Sequence, residues 1–275
     1  MTPLRKRTLD YMTVRCYAEA TKKAYIYQLQ EFARYFNRCP SELGEVEVLE
    51  YLRYLREDKK QSKSVVHCAY SGIKLLFVHI LEKSWNTKLL IRPRREQKYP
   101  TILSVAQVKD LLDLTQNEKH RTILMLIYCS GLRLGEVTRI RVKDLVFSRQ
   151  RVFIRQGKGS KDRYGLLSET MIAQIKLYRR RYAPQNWLFN GAHFDKPISV
   201  STVRAIYKQA KQRAGIAQTG GVHQLRHCFA THAIEAGMDV STLQKLLGHS
   251  SLGTTAIYLH LKNDDLSGFA HPLDQ

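Results

Sequence analysis

Two glycines, Gly237 and Gly248, divide the stretch from Gly221 to Leu261 into three short helical patterns. Each glycine stands where a helix would end in a left-handed C-cap, a conformation that a residue with a Cβ adopts only at a steric cost. Polar residues that can cap free backbone N–H groups follow each glycine: Asp239 or Ser241, and then Ser251 or Thr254. The pattern predicts three short helices joined by tight turns.

Four side chains on these predicted helices share a common chemistry. They are one guanidinium, two imidazoles and a phenol, from Arg226, His223, His249 and Tyr258. His223 and Arg226 are three residues apart, so they face the same side of a helix. No acidic residue adjoins any of the four in the sequence. Such a group suits an anionic substrate, and we expect a phosphodiester.

The net charge narrows the class of partner. The 275 residues carry a net charge of +21, and 44% of them are hydrophobic, which is enough to bury the cores of two domains. A surface this basic favours nucleic acid as the partner. A ribosomal or generally basic protein is the alternative.

The cysteines and the N-terminus indicate the compartment. The five cysteines are odd in number and have no C-x-x-C spacing, which favours reduced thiols in a cytosolic protein. No apolar signal core follows the basic N-terminus, and no apolar run reaches membrane-spanning length. We therefore expect a soluble cytoplasmic protein, associated with the nucleoid and with no membrane.

Residues 1–91 have helical periodicity, with apolar stripes in 21–36, 46–55 and 62–81. Basic residues lie on the other faces, either as a solvated surface or as a helical module placed against phosphates; they include Lys22, Lys23 and Lys63. A charged, proline-bounded linker follows at 92–103. Its Arg94 and Arg95 suggest a strap over DNA, although a solvated linker would look the same.

A second, larger domain extends from residue 104 to residue 275. Helical patterns cover 104–114 and 120–130, and Gly131 ends the second of them. Arg133 then stands at the start of the next helix, at an N-terminus that attracts phosphate. Further helical patterns cover 168–182 and 199–215, and Arg204 and Lys208 lie on a basic face of the latter.

Strand-like alternation covers 140–147, 151–156 and 163–167. The turn between the last two strands presents Lys158 between two glycines, where its side chain is exposed and free to swing. The turn is not a nucleotide-binding P-loop, because the G-x-x-x-x-G-K-[ST] frame is absent. The predicted fold is mainly α-helical with a small antiparallel β-sheet.

Five fragments together resemble the tyrosine recombinase (phage integrase) family over nearly the whole chain. They are SGLRLGEV at 130–137, GKGSKDR at 157–163, HQLRHCFATH at 223–232, LLGHSSLGTT at 246–255 and IY at 257–258. The resemblance implies a two-domain clamp, with a helical, SAM-like core-binding domain at 1–91, the linker at 92–103 and a catalytic domain with a C-terminal tail at 104–275. The compact length looks like Xer-type or small mobile-element recombinases.

The resemblance also implies a role for each matching residue. Arg133 and Arg226 correspond to the arginines that clamp the scissile phosphate, and Lys158 corresponds to the hairpin general acid. His223 and His249 match the two histidines, Tyr258 matches the nucleophile, and Glu136 matches an acidic residue that supports the first arginine. Gln224 departs from the family, which often has an acidic residue at that position. The residues that we expect to contact DNA are Lys22, Lys23, Lys63, Arg94, Arg95, Lys161, Arg204 and Lys208.

Such enzymes form a 3′-phosphotyrosyl link in duplex DNA and free a 5′-hydroxyl, and the stored ester energy makes both metal and ATP unnecessary. The resemblance further implies four protomers on two DNA sites, docked through a tail at 259–275. A zinc site is the alternative for His223, His227 and His232. These residues are spaced along one helix and cannot all converge on a metal, so we expect packing and local hydrogen bonds for His227 and His232.

Two other functions remain open from the sequence. Residues 240–261 resemble a helix-turn-helix, which would suit a DNA-binding protein without catalysis. A type IB topoisomerase-like enzyme would use the same phosphotyrosine chemistry but would relax DNA without exchanging strands between partners.

Overall fold

The computed structural model describes residues 2–93, 100–155, 162–248, 252–256 and 258, apart from the side chains of 252 and 254. The chain divides into two compact units, residues 1–98 and 99–275. Each unit is mainly helical. Among the described residues, no helix combines the length and the apolar character that crossing a bilayer would require.

The described part of the first unit contains four α-helices, which are α1 (Pro3–Val14), α2 (Glu19–Phe36), α3 (Glu45–Glu57) and α4 (Lys63–Leu75). A 3₁₀ turn at Pro40–Glu42 joins α2 to α3, and α4 continues as a π-helical turn at Leu76–Ile80. The three predicted helical stripes are confirmed. Their apolar faces meet around Phe32, whose ring lies 5.2 Å from that of Tyr51 and 6.4 Å from that of Phe77.

The second unit contains eight α-helices and three strands among its described residues. The helices are α5 (Val105–Asp113), α6 (Glu118–Ser130), α7 (Leu134–Val137), α8 (Glu169–Tyr182), α9 (Val200–Arg213), α10 (His223–Glu235), α11 (Val240–Leu247) and α12 (Leu252–Ala256). The strands β1 (Leu145–Val146), β2 (Arg151–Ile154) and β3 (Arg163–Leu166) form an antiparallel sheet in sequence order. The predicted fold class is therefore confirmed.

Helix α6 lies at the centre of this unit and packs against α8 and α10. Four of its apolar residues are fully buried, as expected of an element covered on several sides: Ile123, Leu124, Leu126 and Ile127. The short helices α7 and α11 each follow a glycine with positive φ, Gly131 and Gly237. The unit thus places the ends of several short helices next to one buried helix pair, α6 and α10.

The predicted strand at 140–147 is wrong over most of its length. Only Leu145 and Val146 are strand, between 3₁₀ turns at Val142–Asp144 and Phe147–Arg149. The buried Asp144 carboxylate accepts hydrogen bonds from the Arg141 backbone N–H at 2.9 Å and from Arg155 Nη2 at 2.7 Å. These local side-chain bonds compete with the strand ladder that the alternation predicts. The predicted turn at 157–161 lies outside the described residues.

The predicted glycine caps are confirmed in the C-terminal helices. Gly248 has φ +64° at the end of α11, and Gly237 has φ +90° after α10. Asp239 is the N-cap of α11, since its carboxylate accepts a hydrogen bond from the Thr242 backbone N–H at 2.9 Å. Thr254 lies inside α12 and does not cap it, and Ser251 is outside the described residues.

Among these glycines, Gly131 leaves the least space for a side chain. Its substitution therefore tests how closely the surrounding residues pack. Gly131 has φ +57°, and a Cβ there would lie 2.5 Å from Phe229 Cδ1 and 2.8 Å from Leu247 Cδ2. We expect Gly131→Ala to lower the free energy of unfolding by about 3 kcal/mol in urea denaturation, through backbone strain and overpacking.

Gly215→Ala is the matched control. Gly215 has a similar φ of +63°, but no described atom outside its chain neighbours lies within 4 Å of the position that a Cβ would take. Only the backbone strain remains, so the expected loss is about 1 kcal/mol. Equal losses in the two variants would contradict the packing described for Gly131.

Candidate active site

Arg133 and Glu136 form the first part of the site at the N-terminus of α7. Arg133 is the N-cap residue, and the Glu136 carboxylate accepts hydrogen bonds from the Arg133 backbone N–H at 2.7 Å and from Arg133 Nη1 at 2.9 Å. Arg133 Nη2 also donates to the Gly248 carbonyl at 3.1 Å. The side chain predicted to support Arg133 therefore contacts it directly.

Arg226 on α10 is 4% exposed, which is unusual for an arginine. Its guanidinium donates to the Gly131 carbonyl at 2.5 Å and to the Leu247 carbonyl at 2.7 Å, and Nη1 lies 3.9 Å from Glu136 Oε2. Burial and then the positive charge of Arg133 lower the pKa of Arg226 to about 9, so it stays protonated at neutral pH. The left-handed ends of α6 and α11 thus turn their carbonyls towards one guanidinium.

Arg163, at the start of β3, is a third arginine of this cluster and was not predicted as a site residue. Its guanidinium forms two hydrogen bonds of 2.7 Å to the Glu136 carboxylate, and its Nε donates to the Leu246 carbonyl at 2.8 Å. The signal for it in the sequence was its place as the last residue of the GKGSKDR fragment. No helical or strand periodicity indicates which carboxylate it contacts.

Glu136 is therefore the common counter-ion of three guanidinium groups. Its side chain is only 2% exposed. Burial alone would raise the pKa of this carboxyl, but the hydrogen bonds and charge of Arg163, followed by those of Arg133, lower it to about 2. One fixed negative charge thus holds together positive groups from α7, β3 and α10.

His223 is the first residue of α10 and is exposed, three positions before Arg226 on the same helix. Partial desolvation and then the charges of Arg226 and Arg133 lower its pKa, and the charge of Arg204 on α9 acts in the same direction. A neutral imidazole can accept or donate a hydrogen bond at neutral pH. The charges of Arg226 and Arg133 therefore favour the neutral form of the His223 imidazole.

Tyr258 is buried beside these cations, with 3% of its surface exposed. Burial raises the pKa of its phenol, and the charges of Arg226 and Arg133 offset only part of this rise. Its hydroxyl oxygen lies 2.8 Å from His227 Nδ1. Burial, followed by the charges of His223 and Arg226, lowers the pKa of His227 to about 4, so the imidazole is neutral at neutral pH.

His227 and His232 form hydrogen bonds, but their partners are distant in the chain, whereas local hydrogen bonds were expected. His227 contacts the proposed nucleophile, whereas His232 Nδ1 lies 2.9 Å from the Tyr128 hydroxyl on α6. These two histidines therefore face different tyrosines. No pattern in the sequence indicates that His227 contacts Tyr258; the structure alone shows this.

The other predicted residues fall into two groups. Outside the described residues lie Lys158, His249, Lys161, Arg94 and Arg95. The described ones are mostly exposed, namely Lys23, Lys63, Arg204 and Lys208. Lys22 is largely covered, and its ammonium contacts Glu19 Oε1 at 2.8 Å and Thr13 Oγ1 at 3.0 Å within the first unit.

Comparison with known proteins identifies the family. Residues 101–264 match the phage integrase family, and residues 4–87 match the phage integrase N-terminal SAM-like domain. The chain belongs to the phage integrase family. Its activity is accordingly that of a tyrosine recombinase, the site-specific breaking and rejoining of DNA strands.

Individual relatives agree with this assignment along the length of the chain. The integrase/recombinase-type protein y4qK of Sinorhizobium fredii is 36% identical over 275 residues, which cover 100% of this chain and 89% of that protein. A tyrosine recombinase of Thermosipho africanus is 30% identical, over 93% of this chain and 94% of its own. The fold is similar to that of the XerH site-specific recombinase bound to its difH substrate, with a TM-score of 0.76 and 22% identity over 95% of this chain and 82% of that one.

Proposed function

We propose that Tyr258 is the nucleophile of this recombinase and that Arg133 and Arg226 bind the scissile phosphate. The observation that carries the proposal is the convergence of the two arginines, from α7 and α10, on one carboxylate, with the Tyr258 hydroxyl buried within electrostatic range of both. The guanidinium groups are held by backbone carbonyls and Glu136 before any DNA binds. Such preorganisation avoids a reorganisation cost during the reaction.

Arginines suit this task because the reaction adds negative charge at phosphorus. Attack by the Tyr258 oxygen forms a pentacoordinate state, and a planar guanidinium can bind two of its oxygens at once. A single preorganised donor in such a site is worth about 3 to 4 kcal/mol of transition-state stabilisation. The same positive charge favours the phenolate over the phenol, which a tyrosine nucleophile needs at neutral pH.

The remaining roles concern the bonds at phosphorus and the proton of the leaving group. The new bond joins the Tyr258 oxygen to the 3′-phosphate, the bond from phosphorus to the 5′-oxygen breaks, and a proton from Lys158 completes the 5′-hydroxyl. His223 is proposed to hydrogen-bond the phosphate, and the roles of Lys158 and His249 rest on the sequence fragments that contain them. A 5′-hydroxyl from the partner strand then reverses the step, with no ATP or metal required.

The first unit is proposed to be the core-binding domain, and the second unit the catalytic domain. Exposed basic residues on the helices of both, including Lys23 and Lys63 on the first and Arg204 and Lys208 on the second, would contact phosphates of duplex DNA. We further propose that four protomers assemble on two sites through residues 259–275, and that the enzyme acts in the cytoplasm on nucleoid DNA.

The test starts from the DNA site, which is first captured by binding selection from a library of duplex fragments. The captured site is then nicked close to the cleavage position, so that the short 5′-hydroxyl fragment diffuses away and the adduct is trapped. We expect a covalent protein–DNA species whose DNA-bearing peptide, identified by mass spectrometry, contains Tyr258. Attachment at another residue, or none, would contradict the proposal.

A second experiment distinguishes a recombinase from the two alternatives, a topoisomerase and a DNA-binding protein without catalysis. Two intact site-bearing duplexes of different length are mixed with the protein, and recombinant joints are measured by gel electrophoresis. A recombinase yields joints of new length. Relaxation of supercoiled DNA with a Tyr258 adduct but no joints would identify a topoisomerase, and binding without an adduct would identify a DNA-binding protein alone.

A further inference from the structure

The hydrogen bond between His227 and Tyr258 joins the proposed nucleophile to the helix that carries the phosphate clamp. His227 directly follows Arg226 on α10, and its Nδ1 lies 2.8 Å from the Tyr258 hydroxyl oxygen. The two rings have centroids 5.8 Å apart and are tilted by 44°. They therefore meet through the polar atoms, without stacking.

The environment of the pair allows His227 to accept this hydrogen bond. A buried phenol needs an acceptor for its proton, and His227 is the partner that the described residues provide. The lowered pKa of His227 leaves its imidazole neutral at neutral pH, so one ring nitrogen is free to accept. With the imidazole proton on Nε2, Nδ1 is the acceptor and the phenolic O–H donates to it.

We infer that His227 is a catalytic residue, which orients the Tyr258 hydroxyl and receives its proton at Nδ1 as the oxygen attacks phosphorus. This inference rests on the proposed function of Tyr258. In the step, the O–H bond breaks, an Nδ1–H bond forms and the oxygen bonds to phosphorus, while the 5′-oxygen leaves with a proton from Lys158. The proton on Nδ1 returns to Tyr258 when a 5′-hydroxyl reverses the step.

Substitutions of His227 test the acceptor. We expect His227→Ala to slow adduct formation in a single turnover on the nicked substrate by about 100-fold, the range of a lost general base, with unchanged DNA affinity. His227→Asn, whose Oδ1 can lie near the position of Nδ1, should recover about tenfold of that loss because it still accepts the hydrogen bond. Equal rates for the Ala and Asn variants would overturn the inference.

His232→Ala is the matched control, since it removes the corresponding histidine–tyrosine hydrogen bond with Tyr128 on the same helix. It should cleave within about threefold of the wild-type rate. A His227→Ala rate as high as that of the control would overturn the inference. If the wild-type protein forms no Tyr258 adduct, the proposed function itself fails; if it does and His227→Ala matches it, only this inference fails.

A modified substrate locates the defect within the reaction. When sulfur replaces the 5′-bridging oxygen, the leaving group is a thiolate that needs no proton, so a loss on the leaving-group side is rescued. The His227→Ala defect should persist on this substrate, and its rescue would overturn the inference.

A spectroscopic measurement covers the case in which the alanine variant is poorly folded. The ¹⁵N chemical shift of His227 Nδ1 should change in Tyr258→Phe and stay constant in Tyr128→Phe. The absence of a change in Tyr258→Phe would overturn the inference.

Discussion

The Tyr258→Phe variant is expected to bind its DNA site with unchanged affinity and to form no covalent adduct. The substitution removes one oxygen, which is the atom that bonds to phosphorus in the proposed mechanism. Loss of a nucleophile that acts together with its partners lowers the rate by on the order of 10⁶-fold, which is below detection in the suicide-substrate assay. The hydrogen bonds that Arg133 and Arg226 donate to Glu136 and to backbone carbonyls should persist, because the phenol oxygen takes no part in them.

The control for this variant is Tyr128→Phe. It removes another tyrosine hydroxyl that lies within hydrogen-bond distance of a histidine on α10, in this case 2.9 Å from His232 Nδ1. It should form the adduct at the wild-type rate and shift the unfolding midpoint by as much as Tyr258→Phe does. Residual adduct in Tyr258→Phe would show that another nucleophile attacks the phosphate.

The second large effect is expected at Glu136. Glu136→Gln removes the negative charge that three guanidinium groups share, and leaves those cations close together and partly buried. Breaking a buried charge pair in this way costs about 3 to 5 kcal/mol of folding free energy. The release of Arg133 and Arg226 from fixed positions should also slow cleavage by about 100-fold.

The same variant should change how stability depends on pH. The pKa of Glu136 is lowered from an ordinary value of 4.5 to about 2 in the folded protein, so its stabilisation is complete above pH 4.5 and is lost as the pH falls towards 2. At 1.4 kcal/mol per pKa unit, the shift corresponds to about 3 kcal/mol. Urea denaturation between pH 2 and pH 7 should show a shallower loss of stability in Glu136→Gln than in the wild type.

Asp144→Asn is the matched control for Glu136→Gln. Asp144 is also a buried carboxylate bonded to an arginine, but the Arg155 side chain is 45% exposed and water can replace the lost contact. The expected cost is about 1 to 2 kcal/mol, with wild-type cleavage. If Asp144→Asn lost as much stability as Glu136→Gln, the shared counter-ion would not explain the effect.

The helices were predictable where their signals are local. Gly131 and Gly248 end α6 and α11 in left-handed conformations, and Ser104 caps α5, because these preferences depend on a few neighbouring residues. The prediction of a strand over 140–147 was wrong because side-chain hydrogen bonds replace strand pairing there. There, the buried Asp144 carboxylate bonds the nearby backbone and Arg155, and alternation of apolar residues does not reveal that competition.

By itself, the sequence determined the class of the protein: a mainly helical, basic chain whose five ordered fragments are those of a tyrosine recombinase. The resemblance also implied that Glu136 supports Arg133, and the two residues are in contact at the start of α7. Only the tertiary structure decided that Arg163 shares Glu136 and that His227 holds Tyr258. Those contacts join residues far apart in the chain, and they depend on how α7, β3, α10 and the segment at Tyr258 pack, which no local pattern encodes.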